Sequence, residues 1–293
     1  MIARVTHQTM QRSTLANLQT NLAAMADLQN RMSSGKKVNV PSDDPAAASD
    51  LLRLRGEQRA DTQYSRNATD AGSWLQTVDT AITSAVASLR EARDRTVQGG
   101  NGALGVTSKA ALADEIDSLR DTLLAQANTT YVGRSVFAGT SDSPTAFDAT
   151  DYSYSGTGSP VERRLSSTST VRVDGDGAAV FGTGTDSVFA LLDRISTTLR
   201  ADGDPTNELT AIDDRLDSML TELSSIGARH KNVMTTQDTM AAKNVETSSR
   251  LSDIEDVDLA SIILELQSQE VAYKGALGAS AKVLQPTLLD FLR

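Results

Sequence analysis

Each end of the chain carries an apolar stripe of helical period, and each stripe lacks a partner in the sequence beside it. In the first forty residues Leu15, Leu18, Leu22, Met25 and Met32 recur at spacings near three and four, with Leu28 beside them. Near the other end Leu259, Ile263, Leu266, Tyr273, Leu277 and Leu284 repeat the arrangement, interrupted at Glu270. A period of about 3.5 marks a helix that seeks another helix. A lone amphipathic helix is marginal in water, because nucleation is costly and its apolar face stays wet. The two ends are therefore expected to cover each other and neighbouring copies, and to gain order as they do so. If the ends meet, the middle lies at the far tip. The expected fold is mainly α: a hairpin-shaped rod of long helices, with coiled-coil terminal helices and a small β-rich insert at the tip.

The interior divides by composition. Ser33-Ser34-Gly35 closes the first helix, and Pro41-Ser42-Asp43-Asp44-Pro45 reads as a helix start, with Ser42 or Asp43 as cap and Pro45 in the first turn. A long helix runs from there towards residue 98, with kink candidates at Gly56 and Gly72. Ala71, Leu75, Val78, Ile82, Ala85, Leu89 and Ala92 hold its seam, and Gly99-Gly100-Asn101-Gly102 ends it. Another helix, capped by Thr107 or Ser108, follows. Residues 139–186 are rich in Gly, Ser, Thr and Asp. Their short alternating runs at Tyr152/Tyr154, Val171/Val173 and Val180-Phe181 read as strands. Helical periodicity then returns to the end. The expected segments are a coiled-coil helix over 1–40 that pairs with 252–293, helical rods over 41–138 and 187–251 that pair with each other, and an exposed insert over 139–186.

Composition excludes several functions. There is no cysteine, so neither a disulfide framework nor a thiolate metal site can form. A net charge of −10 argues against generic nucleic-acid binding. No apolar run approaches the ~20 residues of a membrane helix, and the N-terminus lacks the layout of a cleaved signal peptide. Basic residues outnumber acidic ones in the first sixty positions, and the balance reverses in the last ninety, so the ends can attract each other. Only 4% of residues are aromatic, which suits thin bundles better than a thick core.

The motifs that hint at chemistry have plainer readings. Gly100-Asn101-Gly102-Ala103-Leu104-Gly105 fits a dinucleotide fingerprint but follows a helix rather than a strand, and reads as an interhelical turn. Asp174-Gly175-Asp176-Gly177 resembles the start of a calcium loop, yet Ala178 and Thr185 stand where ligands are needed. Asp253, Glu255, Asp256 and Asp258 read as acids that complement a helix N-terminus. His7 and His230 are the two histidines, in no metal spacing. Trp74 reads as packing. No catalytic, cofactor or metal site is expected, and an enzyme is not.

A resemblance to a known family rests on several segments. Leu28 to Asn39 (Leu-Gln-Asn-Arg-Met-Ser-Ser-Gly-Lys-Lys-Val-Asn) and Pro41 to Ala46 resemble the N-terminal signature of bacterial flagellins. Arg66-Asn67-Ala68 and Val97 to Gly102 follow at matching distances, and Ser249 to Asp258 resembles the C-terminal signature with one extra residue. Tyr131-Val132-Gly133-Arg134-Ser135-Val136-Phe137-Ala138-Gly139-Thr140 is similar to the Asn-Gly-Arg-Tyr-x-Phe-x-Gly-Thr segment of the hook–filament junction branch, the hook-associated protein 3 type. Val132 stands for its Asn and Ser135 for its Tyr.

The resemblance implies a structural role in the flagellum, outside the cell, after export through the flagellar type III apparatus without a cleaved signal. It implies a ring-like layer of self-associated copies between hook-associated protein 1 and flagellin, and a cytoplasmic chaperone on the C-terminal helix before export. Filament flagellin itself, or a cytosolic coiled-coil adaptor, are the alternatives. Neither nucleic acid nor membrane insertion is implied.

Overall fold

The computed structural model describes residues 7–283. Among these residues seven α-helices carry the fold: α1 (His7–Ser34), α2 (Pro45–Gly99), α3 (Val106–Ala127), α4 (Gly177–Phe181), α5 (Val188–Arg200), α6 (Leu209–Glu255) and α7 (Leu259–Val283). Two antiparallel hairpins supply the strands: β1 (Thr130–Tyr131) with β2 (Arg134–Ser135), and β3 (Glu162–Arg164) with β4 (Thr170–Arg172). The chain forms two compact units, one of residues 1–59 with 243–293 and the other of residues 60–242. For brevity they are called the terminal unit and the central unit.

In the central unit, α2 buries Ala68, Ala71, Leu75, Val78, Ile82, Ala85, Leu89 and Ala92, an alternation of three and four that lays one continuous face on its neighbours. Ile212, Leu216, Met219, Ile226, Val233 and Met240 of α6 join the same core. α3 and α5 pack on each other, with Leu112, Ile116 and Leu123 on one side and Leu192, Ile195 and Leu199 on the other. Polar fasteners lie outside this core. Arg93 donates to both carboxylate oxygens of Asp213, joining α2 to α6 at 2.6 and 3.2 Å. Lys109, itself buried, donates to the carbonyls of Asp202 and Gly203 just beyond α5 and pairs with the Asp202 carboxylate at 2.8 Å. It thereby satisfies two carbonyls of the loop that follows the helix.

Several local expectations change. α2 continues unbroken through Gly56 and Gly72; one glycine costs about 1 kcal/mol in a helix, which a packed face outweighs. Its cap is Asp44, whose Oδ1 accepts from the N–H groups of Ala46 and Ala47, whereas Asp43 accepts from Asn39 and Val40 in the preceding loop. α3 begins one residue after Gly105, and neither Thr107 nor Ser108 caps it. Val180-Phe181 lies in α4 rather than in a strand, because Asp176 caps that turn through Ala178 and Ala179. Tyr154 makes only an isolated bridge to Phe147.

The few aromatic residues are concentrated. Phe137, Phe147, Phe181 and Phe189 are fully buried with contacting ring centroids 5.1 to 5.9 Å apart, and Tyr152 and Tyr154 pack against Phe189 and Phe147 with tilted rings. Such contacts add stabilisation beyond the area they bury. The Tyr154 hydroxyl donates to the Phe137 carbonyl at 2.8 Å, and burial pushes its pKa up to about 12. Much of 139–186 therefore belongs to the central core: Phe147, Val161, Leu165, Val171, Val173, Val180 and Phe181 are all buried there.

Candidate assembly interface

In the terminal unit α1 packs along α7. Thr14, Asn17 and Leu18 of the first helix share a shallow groove with Ala276, Ala279 and Ser280 of the second. This pairing leaves much of the apolar surface in water. Leu15 (58% exposed), Leu22 (49%), Met32, Leu259 (51%), Ile263 and Leu277 are exposed, and Leu18, Met25, Leu266 and Tyr273 are half-buried. Leu284 lies outside the described residues. Among the described residues, the large apolar side chains that these helices do bury are Leu28 on α1 and Ile262 on α7, one position away from the stripe residue Ile263. One residue is about 100° of helix rotation, so the packed face and the heptad stripe are adjacent rather than identical. Leu264 and Val271 add to the uncovered surface.

Of the five most exposed large apolar side chains among the described residues, four lie in this unit: Val245, Val271, Leu264 and Leu52. A single exposed Leu means little, but contiguous apolar surface on paired helices marks an interaction face. The central unit exposes only Val97, Val106, Val132 and Met234 of this class among the described residues.

A small second cluster closes the other end of the terminal unit. Leu51, Leu54 and Leu251 are buried, with Val38 and Ile254 packed against them. Beside it a group of charges joins two loops. Glu255, nearly buried, receives Lys36 and Arg55 on one carboxylate oxygen, each at 2.6 Å, and Lys36 also reaches Asp256 at 3.2 Å. The hydrogen bond to Glu255 raises the Lys36 pKa against the opposing effect of burial. The Ser252 hydroxyl, and then Lys36, hold the Asp256 carboxyl below its usual range. Of the acidic run, Asp258 alone caps α7, through Ala260, while Glu255 and Asp256 bind cations of the chain itself. Sequence reading did not find this network. The signal was there in the Lys36-Lys37 pair after Gly35 and in the opposite charge of the 253–258 run.

The other chemical motifs are occupied structurally. Asp174 is fully buried; it accepts from Arg172 at 3.0 and 2.9 Å and from the Val161 N–H at 2.8 Å, so its charge is matched. A Cβ on Gly175 would lie 2.8 Å from the Phe137 ring, and one on Gly177 would lie 2.6 Å from the Phe137 carbonyl, so close packing explains both glycines. Gly99 and Gly100 likewise sit against Leu199 and Thr206, a helix-to-helix approach with no strand before it. Among the described residues no group of three His, Cys, Asp or Glu could hold a metal, and no helix is long and apolar enough to cross a membrane. Trp74 packs on Tyr131 at 5.2 Å under the Arg163 guanidinium.

Residues 5–142 match the bacterial flagellin N-terminal helical region. The chain is 27% identical to flagellar hook-associated protein 3 of Salmonella typhimurium, over 93% of this chain and 94% of that protein. It is 25% identical to the flagellin of Bacillus subtilis, over 99% and 100%. The crystal structure of Bacillus cereus FlgL shares the fold, with a TM-score of 0.61 at 21% identity, covering 68% of this chain and 99% of that one.

Proposed function

Because residues 5–142 match the flagellin N-terminal region and the chain resembles hook-associated protein 3 over nearly its whole length, we propose that it belongs to the flagellin superfamily, is a structural component of the bacterial flagellum and forms the junction layer between hook and filament. The observation that carries this reading is the apolar surface that α1 and α7 leave uncovered after pairing with each other. A helix pair with a second wet apolar face is built to be completed by other chains. Copies of this chain side by side, hook-associated protein 1 below and flagellin above supply that cover. Leu15, Leu18, Leu22, Met25, Met32, Leu259, Ile263, Leu266, Tyr273, Leu277 and Leu284 are its contact residues.

The chain acts by assembly rather than by catalysis. It reaches its site outside the cell through the flagellar type III apparatus, and a cytoplasmic chaperone covers the C-terminal helix beforehand. The test is a deletion strain complemented with a tagged chain and viewed by electron microscopy. Label at the hook–filament boundary, with flagellin released unpolymerised from the deletion strain, supports the reading; label along the whole filament overturns it. The full-length similarity to Bacillus subtilis flagellin favours a second reading, filament flagellin itself. Purified chain that polymerises alone into long filaments would select that one.

A further inference from the structure

The terminal unit contains two helix breaks side by side. α1 stops at Ser34 and α2 starts at Pro45; α6 stops at Glu255 and α7 starts at Leu259. At each break the ladder of intrahelical hydrogen bonds that stiffens a helix is interrupted. What spans the gap is a two-strand stitch between the loops. The Lys37 N–H donates to the Glu255 carbonyl at 2.6 Å, and the Val257 N–H donates to the Gly35 carbonyl at 3.1 Å. Gly35 adopts a φ of +69°, which a residue with a Cβ rarely takes, and so lets the chain turn into the stitch. Over the stitch, Lys36 and Arg55 converge on the single buried carboxylate of Glu255.

We infer that this stitch is a latch, in which Glu255 is the positioning residue that holds the α1–α7 pair in a fixed attitude to the adjoining ends of α2 and α6. Both cations reach Glu255 from exposed positions, with side chains 39% and 51% accessible, so they are free to solvate once the carboxylate is gone. The stitch then keeps two backbone hydrogen bonds and the solvent-exposed Lys36–Asp256 pair, which is worth little, with Val38 and Ile254 packed beside them. Opened, it is a joint: the helices persist while the pair swings. Each helix keeps its own hydrogen bonds, so the change is one of orientation rather than of secondary structure. This inference does not rest on the flagellar reading; any assembly that uses the apolar face of α1 and α7 would feel its direction set here.

The absence of cysteine permits a direct measurement on the full chain. Spin labels at Ser49→Cys and Ser268→Cys, exposed positions on α2 and α7, report the attitude of the pair within the terminal unit. The parent should give one narrow distance distribution. Glu255→Gln removes the charge at nearly constant shape. It should at least double the width of the distribution and speed amide exchange at Lys37 and Val257 by about tenfold. Lys36→Met in the parent should broaden it less, since Arg55 still holds Glu255, and adding it to Glu255→Gln should change little more. Trp74, buried in the central unit, provides the control through its fluorescence melting curve. Unchanged distance distributions in Glu255→Gln overturn the inference. So does a Trp74 melting temperature that falls along with the broadening, because Glu255 would then be a general stability residue.

Discussion

The two units spend their apolar residues differently. The central unit turns them inward: four phenylalanines, two tyrosines and the seams of α2, α3, α5 and α6 close one core. The terminal unit hides a cluster of three leucines at one end and leaves Leu15, Leu22, Leu259, Leu264 and Val271 in water. Since burial is worth about 25 cal/mol per Å2 of apolar surface, the first region can hold itself together, and the second leaves apolar surface whose burial would add stability. On the proposed reading, a scaffold firm by itself and a surface completed by other chains are separated within one polypeptide.

Substitutions in each region sharpen this contrast. Phe181→Ala opens the aromatic cluster and should destabilise the central unit by about 3–5 kcal/mol, seen as an earlier denaturant midpoint of Trp74 fluorescence. Leu54→Ala in the small terminal cluster should cost about 2 kcal/mol. Amide exchange should show that loss around Leu51 and Leu251 while the Trp74 transition stays in place. If the Trp74 transition moved as far as it does in Phe181→Ala, the two regions would be one cooperative block and the contrast would fail.

Acid should affect both regions in one direction. Asp43 is held below the usual carboxylate range by the Val40 and Asn39 N–H groups, Asp256 by Ser252 and then Lys36, and Asp213 by Arg93. A depressed folded pKa gives stability that is present above the unfolded value and is lost as pH falls through the folded one. Stability should therefore be level near neutrality and decline only below about pH 4. Amide exchange in the 35–44 loop, read against Trp74 fluorescence, would follow the two regions separately. The smallest effect is expected at Val132, which holds a φ of +49° at 84% exposure in the β1–β2 turn. Val132→Asn should stabilise by about 0.5 kcal/mol, because asparagine tolerates that conformation and a β-branched residue does not. A melting curve that shifts downward would refute it.

The helices were legible because their period was long and regular: the seam from Ala71 to Ala92 is buried as spaced. Caps were less so. Asp43 and Asp44 are both capable acceptors, and only the path of the loop from Asn39 decides that Asp44 caps α2. Val180-Phe181 looks like a strand locally, but a single side chain, Asp176, makes it a helical turn. The aromatic core was hidden because Phe137, Phe147, Phe181 and Phe189 are scattered over about fifty residues, and a low aromatic fraction says nothing of whether those few meet. The Glu255 network joins positions two hundred residues apart, beyond the reach of any periodicity. The stripe on α7 was readable as a stripe, yet which of Ile262 and Ile263 faces α1 depends on packing that the sequence does not print.

If the molecule works as proposed, other chains must use the uncovered faces of α1 and α7. The direct measurement is to replace Leu22, Leu259, Ile263 and Leu277 together by glutamine, each being exposed in the isolated chain. Swimming and filament attachment are then scored beside the Trp74 unfolding curve of the purified variant. The prediction is loss of motility with flagellin shed into the medium, and an unfolding curve that overlays the parent. Cells that swim normally with this variant at parental levels would contradict it.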